Sequence, residues 1–115
     1  MMVAKVSKKD RDVLKRHAYL LRTLSTVGKK RRDTVLSNAP PSLFPAIRML
    51  AKHLIKGNIN LTDKDRKKLT QPMKRILRQV HAAKTPKKTI MQHGDGISKI
   101  LRFILPVVGT ILSAI

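Results

Sequence analysis

The chain predicts an all-α fold: a small bundle of about four short helices in residues 7–92, a glycine hinge, and a hydrophobic C-terminal helix. Three observations predict it. Apolar residues recur at three- and four-residue steps along most of the chain. Glycines, prolines and capping side chains punctuate them at helix-length intervals. Alternating, β-branched runs of strand length are nearly absent.

Ser7 followed by Asp10 has the form of a capping box with Asp in place of Glu. Val13, Leu14, His17, Leu21 and Leu24 then form one stripe of a first helix, which Gly28 stops. Four consecutive cations follow, then one or two turns over residues 33–38, and Ala39, Pro40 and Pro41 break the chain. Ser42 is placed to cap a second clear helix, with Pro45 tolerated in its first turn. Its face of Leu43, Phe44, Ile47, Leu50, Ala51, Leu54 and Ile55 is the best core candidate before the C-terminal segment. Gly57 and Asn58 end it. Thr62 with Asp65 starts a basic helix through Leu69, which Pro72 kinks or restarts. Met73, Ile76, Leu77 and Val80 continue its apolar stripe. Thr85 and Pro86 open a last basic turn or two, and His93, Gly94, Asp95 and Gly96 read as the hinge.

Charge divides the chain in two. Its 115 residues hold 26 Lys and Arg against six Asp and no Glu, a net charge of +20. Residues 1–93 carry 24 of the cations and five of the acids, so +19 resides in a basic helical domain ahead of a hydrophobic tail, 94–115. Such one-sided charge repels itself and favours a polyanion partner. Nucleic acid is the first candidate, because each neutralised phosphate releases a counterion. An anionic membrane surface is the second.

Other chemistry is sparsely supplied. There is no cysteine for a disulfide, thiolate site or thiol nucleophile. Tyr19, Phe44 and Phe103 are the only aromatics, too few for base-stacking platforms. His17, His53, His81 and His93 form no metal-ligand spacing, and His17 and His53 read as half-buried packing residues. The pairs Asp10/Asp12 and Asp63/Asp65 lie at helix starts, where a carboxylate stabilises the dipole. Neither an enzyme nor a cofactor is expected. The first residues, MMVAKVSKKD, lack the apolar run of a secretory signal.

The candidate phosphate contacts are Lys29, Lys30, Arg31 and Arg32; Lys64, Arg66, Lys67, Lys68, Lys74, Arg75 and Arg78; and Lys87 and Lys88. A helix made soluble by charge normally interleaves Glu with Lys, and here Glu is missing. Base-specific readout lacks support, since Gln71, Gln79, Asn58 and Asn60 follow no pattern. A helix-turn-helix of residues 43–56 and 63–71 is permitted by the short GNINLT connection, with non-specific binding preferred.

The candidate membrane or partner contacts are Ile97, Ile100, Leu101, Phe103, Ile104, Leu105, Val108, Ile111 and Leu112. Residues 97–115 approach the roughly 20 that cross a bilayer core. Lys99, Arg102, Pro106 and Gly109 favour an interfacial or partner-packed helix instead. Docking on the protein's own core is the third reading of this segment.

The order of segments resembles a known family. GNINLT at 57–62 is followed by Asp65, Arg66, Lys67, Lys68 and Leu69, then by KKTIMQHG at 87–94, then by the apolar tail. Residues 38–55, from Asn38, Ala39, Pro40 and Pro41 onwards, suit the same pattern. This order is similar to the small basic late proteins encoded by adintoviruses and Polinton (Maverick)-type elements of animals. Asp95 stands where that family tends to have a second Gly, and the tail is richer in Ile. The resemblance implies a virion core-type protein in the virion and host nucleus, similar in role to the small basic core polypeptides of adenoviruses. It implies sequence-blind binding of packaged double-stranded DNA, with the tail contacting capsid protein or membrane. The rival reading is a membrane-active protein, recruited to anionic lipid by its basic segment, with residues 97–115 inserting.

Overall fold

Eight helices follow one another among the residues described by a computed structural model, 6–59 and 61–113, with side chains described through Pro106. They are α1 (Lys8–Arg16), α2 (Ala18–Thr26), α3 (Lys29–Asn38), α4 (Leu43–Ile55), α5 (Asp63–Lys68), α6 (Gln71–Ala82), α7 (Pro86–Gln92) and α8 (Gly94–Ser113). No strand occurs among the described residues. The all-α expectation holds, but the count of about four helices and the glycine hinge do not.

The extra helices come from breaks that periodicity does not register. The expected first helix divides at His17. There the ring Nδ1–H donates to the Val13 carbonyl (2.9 Å), while the His17 backbone N–H turns to Leu14 (3.2 Å). The chain kinks and resumes as α2 with the same apolar stripe. Residues 29–32, read as a cationic run ahead of a short turn, are the first turn of α3. Pro72 restarts the chain rather than kinking it: Thr70 caps α6, with Pro72 in the first turn.

The caps divide similarly. Ser7 Oγ accepts from the Asp10 N–H and Thr62 Oγ1 from the Asp65 N–H, as the spacing predicts. Ser42 does not cap α4; its hydroxyl instead meets His17 Nε2 at 2.9 Å, tying α4 to the α1–α2 break. At the other end of α4, Gly57 takes φ 70°. Asn58 N–H bonds His53 O and Gly57 N–H bonds Leu54 O, the paired C-cap bonds that need a left-handed residue.

The core forms where α4, α6 and α8 converge. Ile47, Leu50 and Leu54 of α4 meet Leu77 of α6 and Ile97, Ile100 and Leu101 of α8. Leu21 and Leu24 of α2, Leu36 of α3 and Ile90 of α7 complete it. The expected α4 core face is buried except for Ile55, which is 40% exposed. His17 and His53 are buried more deeply than expected, each 4% exposed, because each has partners. Asn58 Nδ2 donates to His53 Nδ1 and His53 Nε2–H donates to Asp10 Oδ2, both at 2.9 Å.

The first turns of the tail pack into the core. Ile97, Ile100, Leu101 and Ile104 are each at most 4% exposed within the same core. Ser98 Oγ donates to Leu24 O (2.7 Å) and Arg102 Nε to Ser25 O (3.1 Å), fastening α8 along α2. The physical reason is size: a domain of about a hundred residues has little apolar surface to spare and buries what it has. No helix among the described residues is long and apolar enough to cross a membrane.

Gly94 and Gly96 are therefore packing residues inside α8, not a hinge. A Cβ on Gly94 would lie 2.9 Å from Arg32 Nε, and one on Gly96 would collide with Ile76 Cδ1. Glycine lets α3 and α6 both press on the first turn of α8. Gly94→Val should lower stability by about 1–3 kcal/mol through this overpacking. The urea midpoint measures it; an unchanged midpoint would restore the hinge reading.

Candidate nucleic-acid interface

Most of the expected phosphate contacts reach solvent. Lys29, Lys30, Arg31, Lys64, Arg66, Lys67, Lys68, Arg75, Arg78, Lys87 and Lys88 are exposed, and Lys74 is half-buried. None of these pairs with a carboxylate. Among the described residues the ion pairs of Lys and Arg are Arg32–Asp95 (3.8 Å) and Lys99–Asp95 (3.4 Å), and Asp10 is hydrogen-bonded to His53 (2.9 Å). Asp63 and Asp65 remain at the start of α5 beside its dipole rather than pairing with Lys67 or Lys68.

Arg32 is the exception. It is 5% exposed, its chain lies over Gly94, and its Nε has no hydrogen-bond partner. The four-cation run winds into a helix, and helical geometry turns its fourth member inward while the first three face out. Arg32 thus departs from the expected contact set, because α3 needs an inward residue one turn before Leu36. A buried, incompletely bonded guanidinium contributes little net stability. Arg32→Met should therefore leave stability unchanged or raise it by about 1 kcal/mol. If the exposed cations contact phosphate, the salt slope of polyanion binding should be the same for Arg32→Met as for the parent, whereas Arg31→Gln should lose about one phosphate from it. Equal losses from both variants would return Arg32 to the interface.

The exposed three begin α3, a poor place for cations. The first turn holds no acid, and Gly28 supplies no side-chain cap. Positive charge there opposes the helix dipole. A phosphate beside this turn would relieve that repulsion.

No family model, curated protein or solved structure matches the chain.

Folding also creates a basic surface absent from the expected set. α4 packs along α6, and Arg48 Nε donates to the His81 carbonyl across them (3.0 Å). The outward side of α4 carries Arg48 and Lys52, and its C-cap residue Lys56 continues the row. Across the pair, Lys74 and Arg78 of α6 border a groove with Ile55. The signal for the α4 cations was present, since they recur at four-residue steps. The opposite face of that helix is strongly apolar and marks it first as a core element. Lys87 has a second role: its Nζ lies 5.6 Å from the Phe44 ring centroid, a cation–π distance that holds the α7 start against α4.

Four of the nine expected tail contacts are buried. Ile97, Ile100, Leu101 and Ile104 face the protein's own core, so in this fold they are not a membrane or partner surface. Phe103 and Leu105 are half-buried against that core. Val108, Ile111 and Leu112 lie outside the described side chains.

Proposed function

We propose that the protein binds double-stranded DNA without sequence preference and neutralises its charge, as a virion core-type protein. One observation carries the DNA-binding part: the exposed cations of α3, α5, α6 and α7 have no carboxylate partners. A folded surface that leaves so many like charges unpaired is stabilised by a polyanion, and a duplex supplies phosphates at high density. The spread of these cations over several short helices suits backbone contact rather than base readout. The segment order from GNINLT to the apolar tail supports the narrower reading of a core protein acting in the virion and host nucleus. Anchoring to capsid or membrane then falls to the apolar residues after Pro106, because the earlier ones serve the core.

The test is competition among duplexes of unrelated sequence at fixed salt, together with dye release from anionic vesicles. Equal affinities for all duplexes, without dye release at the same protein concentration, are expected. A preferred sequence would favour a helix-turn-helix regulator. Dye release without DNA binding would favour the membrane-active reading, in which Ile97, Ile100, Leu101 and Ile104 must first leave the core.

A further inference from the structure

We infer that the outward side of α4 is a phosphate track for one strand of the duplex, built by Arg48, Lys52 and Lys56. The inference rests on the DNA-binding reading and assigns it a site that the basic runs of the sequence do not include. Arg48 and Lys52 stand four residues apart on α4, and Lys56, four further on, is its C-cap residue and keeps helical backbone angles (φ −81°, ψ −2°), so the three share a stripe. Their charges succeed one another at about 6 Å along the axis, the scale on which phosphates follow along a strand.

Three features set this stripe apart from a solvated helix face. First, all three cations line one cleft of about 520 Å³, which His81 also borders. Second, Arg48 is held in place. Its Nε is engaged by the His81 carbonyl, while its Nη nitrogens have no hydrogen-bond partner among the described residues. A guanidinium fixed at Nε and open at Nη presents donors in the planar geometry that a phosphate accepts. Third, like charges at four-residue spacing destabilise a helix. No Glu or Asp on α4 offsets them.

The surroundings give the track its borders. Asp10 also lines the cleft, with its Oδ2 held by His53 Nε2 at 2.9 Å. Its negative charge confines a phosphate row to the α4 side. A second cleft, between α4 and α6, is lined by Lys74, Arg78 and the exposed Ile55.

The experiment compares two full-length variants that remove the same charge. One is Arg48→Gln/Lys52→Gln/Lys56→Gln. The other is Lys8→Gln/Lys9→Gln/Lys15→Gln, on exposed positions of α1. Affinity for a double-stranded DNA fragment is measured against salt concentration. The α4 variant is expected to lose about three phosphates from the salt slope, and the α1 variant less than one. Equal losses from both would overturn the track while leaving diffuse DNA binding intact. A shallow slope in the unsubstituted chain would instead refute the DNA-binding reading itself. A loss confined to anionic phosphatidylserine vesicles, with DNA binding unchanged, would also overturn it by assigning α4 to lipid. If loss of the Arg48–His81 bond unfolds the triple variant, Lys52→Gln/Lys56→Gln keeps that bond and should lose about two phosphates. No loss in the double variant refutes the track.

Discussion

Affinity for double-stranded DNA should fall about 10³- to 10⁵-fold as salt rises from about 50 to 200 mM, the response of a protein that contacts six to ten phosphates. The protein's longest dimension is 39 Å. One side of a duplex over that length presents on the order of ten phosphates, which sets the upper end of the range. The lower end follows from the exposed, unpaired cations of α3, α5 and α6 and the α4 stripe, of which one docked face engages only part. Affinity should change little between unrelated duplexes at any one salt concentration. A slope worth fewer than about two phosphates would sink the proposed function. Fluorescence anisotropy of a labelled duplex, titrated with the full chain at several salt concentrations, measures both properties.

Removing residues 94–115 should abolish cooperative folding. The deletion takes Ile97, Ile100, Leu101 and Ile104 from the core, and with them the bonds of Ser98 and Arg102 to the end of α2. Burying one large aliphatic side chain is worth about 2–5 kcal/mol by truncation to alanine. Four such losses come to about 8–20 kcal/mol, as much as the roughly 5–15 kcal/mol that a domain has in total. Thermal unfolding followed by far-UV circular dichroism should show a sigmoidal transition for the full chain and a gradual slope for residues 1–93. A sigmoidal transition in the truncated form would make the tail a separate segment, as composition alone suggests. Leu101→Ala in the full chain is the milder version, with an expected loss of about 2–5 kcal/mol. The same result bears on function: tests of DNA binding need the whole chain, because residues 1–93 lack the helix that holds the cationic segments in place.

Composition and periodicity determined the helical class, the apolar face of α4, the capped starts at Ser7 and Thr62, and the excess of unpaired positive charge. These are local properties. A helix period of 3.6 residues sorts side chains onto faces, and the absence of Glu leaves cations without partners, whatever the packing. The tertiary structure alone decided which cations are surface and which face is core. Arg32 turns inward because Gly94 admits its side chain, a contact between residues 62 positions apart. Arg48, Lys52 and Lys56 become one side of a cleft because α6 and α1 lie beside α4. The apolar run after Gly96 is as suited by composition to a lipid or a partner as to a core. The burial of Ile97, Ile100, Leu101 and Ile104 depends on the cavity that α2, α4 and α6 leave for them, and that cavity exists only once those distant segments have come together.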